Sequence, residues 1–225
     1  MHNATLILLI RDELPALRLL LPRLPLTQLQ ECIAIDGGSV DGSRELLKQW
    51  GIRVIDQSGL GWGAAARTGL LAAQGHIRVL FSPDGNHQPE TVLPLIQAIE
   101  AGAEMAIASR FLPASVHQEE GQFWRLRLRG ARALTWLAQQ RVPSARTLTD
   151  LTQSFRAFSR EAQEQLSLRD NNAELSYALS LQALKAGLRV VEVPTLEGQR
   201  LVGHQLVPTH LNPLPHLQVL LREST

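Results

Sequence analysis

Three short acidic clusters and one glycine turn are where this chain's residue types could do chemistry. Asp12-Glu13, the run from Asp36 to Asp41 and the run from Ser82 to Gln88 each follow an apolar stretch. Carboxylates so placed can accept hydrogen bonds from base N–H groups and ribose hydroxyls. An aspartate such as Asp84 is also a hard oxygen ligand of the kind that Mg2+ or Mn2+ takes. Gly61-Trp62-Gly63-Ala64-Ala65-Ala66 fits G-x-G-x-x-A, and Asp84 follows at about the 20-residue spacing of a dinucleotide-binding turn. That turn belongs after the first strand of its domain, whereas two strand-helix units precede it here. A glycine-flanked helix start packed tightly on a sheet accounts for the same residues, and Asp41 can cap a helix as readily as hold a ligand.

The elements that must position these residues follow from hydrophobic periodicity. Thr5 to Ile10 reads as a strand, and Leu14, Leu17, Leu20, Leu21 and Leu24 fall at helical spacing behind it. The unit then repeats. Strands are expected at Glu31 to Ile35, Ile52 to Ile55, Ile77 to Phe81 and Ala103 to Ala108, with helices at Asp41 to Trp50, Ala64 to Ala73 and Pro89 to Ala101. Strands alternating with helices of this length imply βαβ units on a mostly parallel sheet, an α/β fold of three layers, α/β/α. Ligands of such sheets sit beyond the carboxyl ends of the strands, so the three acidic clusters should gather along one edge. After Ser109-Arg110 the alternation breaks: a long amphipathic helix from Gly121 to Arg141, a strand at Ser154 to Phe158, a helix at Asn172 to Ala186 and a strand at Arg189 to Val193 are expected. We read residues 1–200 as a single domain and 201–225 as a tail with a short apolar helix at Leu214 to Leu221.

Composition narrows the function. The chain has 225 residues with 22 basic and 21 acidic side chains, a net charge of +1. It therefore lacks the field that a general nucleic-acid binder uses, and no nucleic-acid partner is expected. Its single cysteine, Cys32, allows neither an internal disulfide nor a multi-cysteine zinc site. Met1 to Ile10 lacks the basic flank of a signal peptide. Leu201 to Leu221 is uncharged, but its three prolines and three histidines argue against a bilayer span. A cytoplasmic protein is expected. Arg125, Arg129 and Arg132 lie on one face of the long helix, with Phe123, Trp124, Leu126, Leu128 and Trp136 interleaved, which suits the inner face of a membrane carrying anionic lipid.

Taken in order, the motifs resemble the inverting nucleotide-sugar glycosyltransferases of the type that includes dolichol-phosphate mannosyltransferase and its bacterial polyprenyl-phosphate relatives. The resemblance runs from about residue 5 to 205. It is carried by Asp12-Glu13, Asp36 to Ser43, Gly61 to Gly69, Asp84 to Glu90, Ala108-Ser109-Arg110-Phe111, Asp150 to Arg156, Glu192-Val193-Pro194 and Arg200. It implies a GT-A fold, a nucleotide-diphospho-sugar donor, a Mg2+ or Mn2+ ion and a polyprenyl phosphate acceptor. By the same resemblance Glu13, Asp36, Asp41, Gly61, Gly63, Arg67 and Asp84 contact the donor, and Asp84 with Asn86 holds the metal. Arg110 and Arg200 face phosphate. A lipid phosphate needs no strong general base; for a sugar hydroxyl acceptor, Asp150 is the candidate base or acceptor-binding carboxylate, and with Asp84 it makes up the catalytic pair.

The chain departs from the family pattern at three places. Ser82 stands where the first aspartate of D-x-D is expected, Trp62 where a lysine is expected, and Gly203-His204-Gln205-Leu206 where G-x-S-K is expected. These departures also suit a non-catalytic relative that binds a nucleotide without turnover. The Gly61-Gly63 turn leaves a nicotinamide-dependent oxidoreductase as a third reading. Measurable donor hydrolysis with metal separates the transferase from the non-catalytic relative, and NADH fluorescence enhancement without need of a divalent ion marks the oxidoreductase.

Overall fold

A computed structural model describes residues 1–118, 122–142, 147–201 and 212–224. Its centre is a seven-stranded sheet built from β1 (His2–Ile10), β2 (Leu29–Asp36), β3 (Arg53–Asp56), β4 (Ile77–Phe81), β5 (Met105–Ser109), β7 (Arg156–Ser159) and β8 (Val190–Pro194), in the order β3-β2-β1-β4-β7-β5-β8. All neighbours are parallel except β7, which runs antiparallel between β4 and β5. Side chains alternate across the pleat, and both faces are apolar. Ile7, Ile33, Ile35, Leu80 and Ile107 enter one core; Leu6, Leu8, Ala34, Phe81 and Ala106 enter the other.

Helices cover each face. α1 (Leu14–Leu20), α2 (Ser43–Gln49) and α4 (Val92–Glu100) place Leu17, Leu47 and Ile96 on the second core. α3 (Trp62–Ala72), α5 (Gln122–Arg141) and α7 (Glu174–Lys185) place Leu70, Ala138 and Leu179 on the first. The short α6 (Arg160–Glu164) follows β7, and a two-stranded ladder pairs β6 (Val116–His117) with β9 (Leu196–Glu197). The expected three-layer α/β/α fold is the observed one.

Several boundaries differ for physical reasons. The helix expected from Asp41 begins at Ser43, because Gly42 sits at φ 96° and ends the preceding turn. The helix expected from Pro89 opens as a 3-10 turn, Pro89–Thr91, before α4. The expected tail carries α8 (Leu214–Ser224), which packs on α5 and α7 and buries Val219 and Leu220 in the first core. The start of the long helix at Gly121 and the Gly203-His204-Gln205-Leu206 departure lie outside the described residues, as do the side chains of Phe123 and Trp124.

Candidate active site

The three acidic clusters do meet at the carboxyl edge of the sheet, held there by their own loops. Asp36 ends β2; its Oδ1 accepts from the Ser39 amide at 3.0 Å and the Ser39 hydroxyl at 2.5 Å, and Arg44 donates to its Oδ2. Arg44 also bridges to Asp56 at 2.6 Å. Burial alone would raise the pKa of Asp36, but the Ser39 and Arg44 hydrogen bonds hold it below the usual carboxylate range. Asp41 accepts from the Ser43 amide at 2.9 Å and, across the loops, from the Leu14 amide at 2.8 Å. It too stays low, because these bonds outweigh partial burial. Asp41, one residue before the Gly42 N-cap, thus accepts from the first amide of α2 and ties it to α1. Asp12, in the left-handed region at φ 55°, accepts from the Val40 amide, so the first two clusters are laced together.

Glu13 is different. Its backbone N–H is satisfied by Ser43 at 3.0 Å, but its carboxyl oxygen Oε2 is buried without a hydrogen-bond partner. Desolvation first, and then the nearby Asp84 charge, push its pKa up to about 8. A buried orphan acceptor costs free energy that an arriving donor group recovers.

Asp84 lies in the loop after β4, with Oδ1 accepting from the Asn86 amide at 3.0 Å and Oδ2 4.0 Å from the Arg200 guanidinium. Backbone pairing brings Arg200 here: Leu201 N–H donates to the Asp84 carbonyl at 2.9 Å and Gly198 N–H to the Asn86 carbonyl at 3.0 Å. The approach is close enough that a Cβ on Gly85 would lie 2.6 Å from the Gln199 carbonyl oxygen. Asn86 Oδ1 is buried without a partner, a second vacant acceptor beside Asp84. Among the described residues no three His, Cys, Asp or Glu side chains form a metal cluster. Asp84 and the Asn86 amide oxygen are hard donors of the type that Mg2+ or Mn2+ takes, and two such donors alone leave a six-oxygen shell incomplete.

Three expected residues are placed otherwise. Arg110 and Asp150 form a buried, two-pronged ion pair, Nε to Oδ2 at 2.7 Å and Nη2 to Oδ1 at 2.8 Å, with Thr152 Oγ1 2.7 Å from Nη2. Burial works against both charges, but each partner outweighs it, so Asp150 is held below and Arg110 above its ordinary pKa. Asp150, the residue offered as base, is fully buried with both oxygens engaged by Arg110, the arrangement of a counter-ion. Arg110, expected to face phosphate, faces Asp150. Arg67 donates to the Leu168 carbonyl and to Asn171 Oδ1, not toward the donor edge. The glycine turn shares that partner. A Cβ on Gly61 would lie 2.3 Å from the Asn171 carbonyl oxygen, and one on Gly63 would lie 2.4 Å from that of Asp170. Both glycines are therefore required for close approach of two chain segments, and the tight-packing reading of this turn replaces the dinucleotide cradle.

Several motif residues have partners that the sequence did not indicate. His87 is buried, stacks on Phe155 with centroids 4.7 Å apart, and accepts the Ser82 N–H at Nδ1 (3.0 Å). Burial lowers its pKa, which keeps it the neutral acceptor this bond needs. Glu192 accepts from the Thr149 and Asp150 amides, both at 2.8 Å, and so fixes the segment that carries Asp150. The two departures Trp62 and Ser82 meet: the indole Nε1–H donates to Ser82 Oγ at 3.3 Å. Among the contacts at this edge, the Asp36–Ser39 hydrogen bonds have a local signal, an Asx-type spacing.

A mostly parallel sheet covered on both faces, with acidic loops and vacant acceptors gathered at its carboxyl edge, is the architecture of the nucleotide-diphospho-sugar transferases. The family description Glycosyl transferase family 2 matches residues 16–167, and the chain belongs to that family. Among curated proteins it is 27% identical over 186 residues to glycosyltransferase AglJ of Haloferax volcanii, covering 81% of this chain and 57% of that protein. It is 29% identical over 184 residues to the polyprenol monophosphomannose synthase of Mycolicibacterium smegmatis, covering 76% and 68%. The chain thus spans little more than half the length of the first of these relatives. Glucosyl-3-phosphoglycerate synthase from Mycobacterium tuberculosis, solved with Mn2+, UDP and glucosyl-3-phosphoglycerate, superposes with a TM-score of 0.78 at 18% identity, over 99% of this chain and 80% of that one.

Proposed function

We propose that this chain transfers a sugar, with inversion, from a nucleotide-diphospho-sugar to a polyprenyl phosphate. The observation that carries the reading is the pair of buried, partnerless acceptor oxygens, Glu13 Oε2 and Asn86 Oδ1, on the edge that also holds Asp84. Glu13, Asp36 and Asp41 offer carboxyl oxygens to the nucleoside, and Asp84 with Asn86 is the place for Mg2+ or Mn2+. A divalent ion bound there would neutralise the diphosphate leaving group. The acceptor phosphate oxygen forms a bond to the anomeric carbon as the bond from that carbon to the β-phosphate oxygen breaks; the nucleoside diphosphate departs with the electron pair. Arg200, 4.0 Å from Asp84, supplies positive charge beside that leaving group. The names of the curated relatives support the lipid-phosphate acceptor, and the Mn2+ and UDP complexes of the structural neighbour support the metal and donor.

The inner face of a membrane is the proposed location. α5 exposes Arg125, Arg129 and Arg132 together with Leu126 and Trp136, a basic and apolar stripe suited to anionic lipid. Among the described residues no helix is long and apolar enough to cross a bilayer.

Replacing Asp84 tests the reading. Asp84→Ala is expected to reduce Mn2+-dependent sugar transfer from UDP- or GDP-sugars to a polyprenyl phosphate by at least about a hundredfold, the scale on which loss of a charge-stabilising group acts, with an unchanged melting temperature. Full activity in the folded variant overturns the assignment.

A further inference from the structure

We propose that Trp62 is the stacking surface for the donor nucleobase and that Ser82 sets its orientation. This rests on the nucleotide-sugar reading above and goes beyond it by naming what holds the base.

Trp62 opens α3 between two glycines whose positions are fixed against the backbone of Asp170 and Asn171, so the root of the side chain is held rigidly. α3 packs on β1 and β2, whereas Ser82 follows β4 on the other side of β1. The bond from Nε1–H to Ser82 Oγ therefore ties the start of α3 to the loop after β4, on the carboxyl edge of the sheet from which the chain also leaves β1 toward Glu13. Ser82 is itself fixed, because its amide donates to His87 Nδ1. The ring is half-buried: part of it packs against the first core, and the remainder is open.

The other aromatic groups at this edge are occupied. Phe81, His87 and Phe155 are buried against one another, and Phe111 lies beneath the guanidinium groups of Arg110 and Arg132, at 5.5 and 4.6 Å. Among the described residues Trp62 is thus the aromatic with surface to offer at the acidic edge. Carboxylates read a base through its in-plane N–H groups but provide nothing for its π-face; an anchored indole does. Division of labour follows: Glu13 contacts the edge of the base and Trp62 its face.

Calorimetric titration with UDP, GDP and inorganic pyrophosphate, each with Mn2+, tests this on wild type, Trp62→Leu, Trp62→Phe, Ser82→Ala and Ser82→Thr. Trp62→Leu keeps apolar bulk against the core and removes the π-face. It is expected to weaken the tighter nucleoside diphosphate by about tenfold or more, the scale of one stacked base, and to leave pyrophosphate within about twofold. Trp62→Phe should retain most of the affinity. Ser82→Ala should give an intermediate loss that Ser82→Thr restores. Equal weakening of pyrophosphate, or unchanged nucleoside diphosphate binding in Trp62→Leu, overturns the stacking role and leaves the transferase reading standing. A wild-type protein that binds neither nucleoside diphosphate sinks both.

Discussion

The donor edge and the Arg110–Asp150 pair lie on the same side of one sheet and treat polar groups in opposite ways. Around Asp150 the acceptors are taken: both carboxyl oxygens bind Arg110, Thr152 joins them, and Glu192 holds the backbone beneath. At the donor edge, Glu13 Oε2 and Asn86 Oδ1 are buried and vacant. A satisfied network rigidifies a fold, whereas orphan acceptors are a cost that a ligand can relieve. The contrast separates residues whose polar groups are satisfied within the fold from those whose acceptors stay open, although both sets belong to the same family motifs.

The largest expected effect is on the satisfied side. Asp150→Ala leaves the Arg110 charge buried without its partner and should cost about 3–5 kcal/mol of stability, read by urea denaturation. If this variant instead keeps its stability and loses only turnover, the two regions are not different in kind.

Glu13 should act with the opposite sign. Its pKa is about 8 in the fold against an ordinary 4.5, so between those values the native state binds more protons than the unfolded chain. Stability contributed by this group therefore falls as pH rises through that window. Glu13→Gln should remove the dependence, gaining on the order of 2 kcal/mol over wild type by pH 8 while remaining level with it near pH 5. Denaturation curves at the two pH values give the comparison, and parallel behaviour of variant and wild type would contradict it. The smallest effect is expected at Asn86. Because Oδ1 has no partner to lose, Asn86→Ala should cost below about 1 kcal/mol yet weaken Mn2+-dependent nucleotide binding, as a thermal-shift titration would show.

The repeated strand-helix alternation made the parallel half of the sheet legible from sequence, since Ile7, Ile33 and Leu80 advertise burial by local pattern alone. The gathering of Glu13, Asp36 and Asp84 followed from topology. What stayed hidden was non-local. The strand at Arg156–Ser159 was visible as a strand, but nothing in its residues says that it runs antiparallel between β4 and β5. Gly61 and Gly63 signal a close approach without naming the visitor; the Asp170–Asn172 segment that fills the space is about a hundred residues away. Arg110 and Asp150 each look like site residues, and only their mutual distance reveals a counter-ion pair. His87 shows the same limit, because burial decided its role and burial is a property of the assembled fold.

The antiparallel insertion of β7 also bears on how the chain reaches this state. β4 and β5 follow one another in sequence but are not paired; the strand that joins them begins only at Arg156. Until it does, β4 presents an unpaired apolar edge and β5 has no partner on that side, the arrangement that invites pairing with other chains. Closing the centre of the sheet across so long a span raises the sequence separation of its contacts, the property that goes with slower folding among small domains.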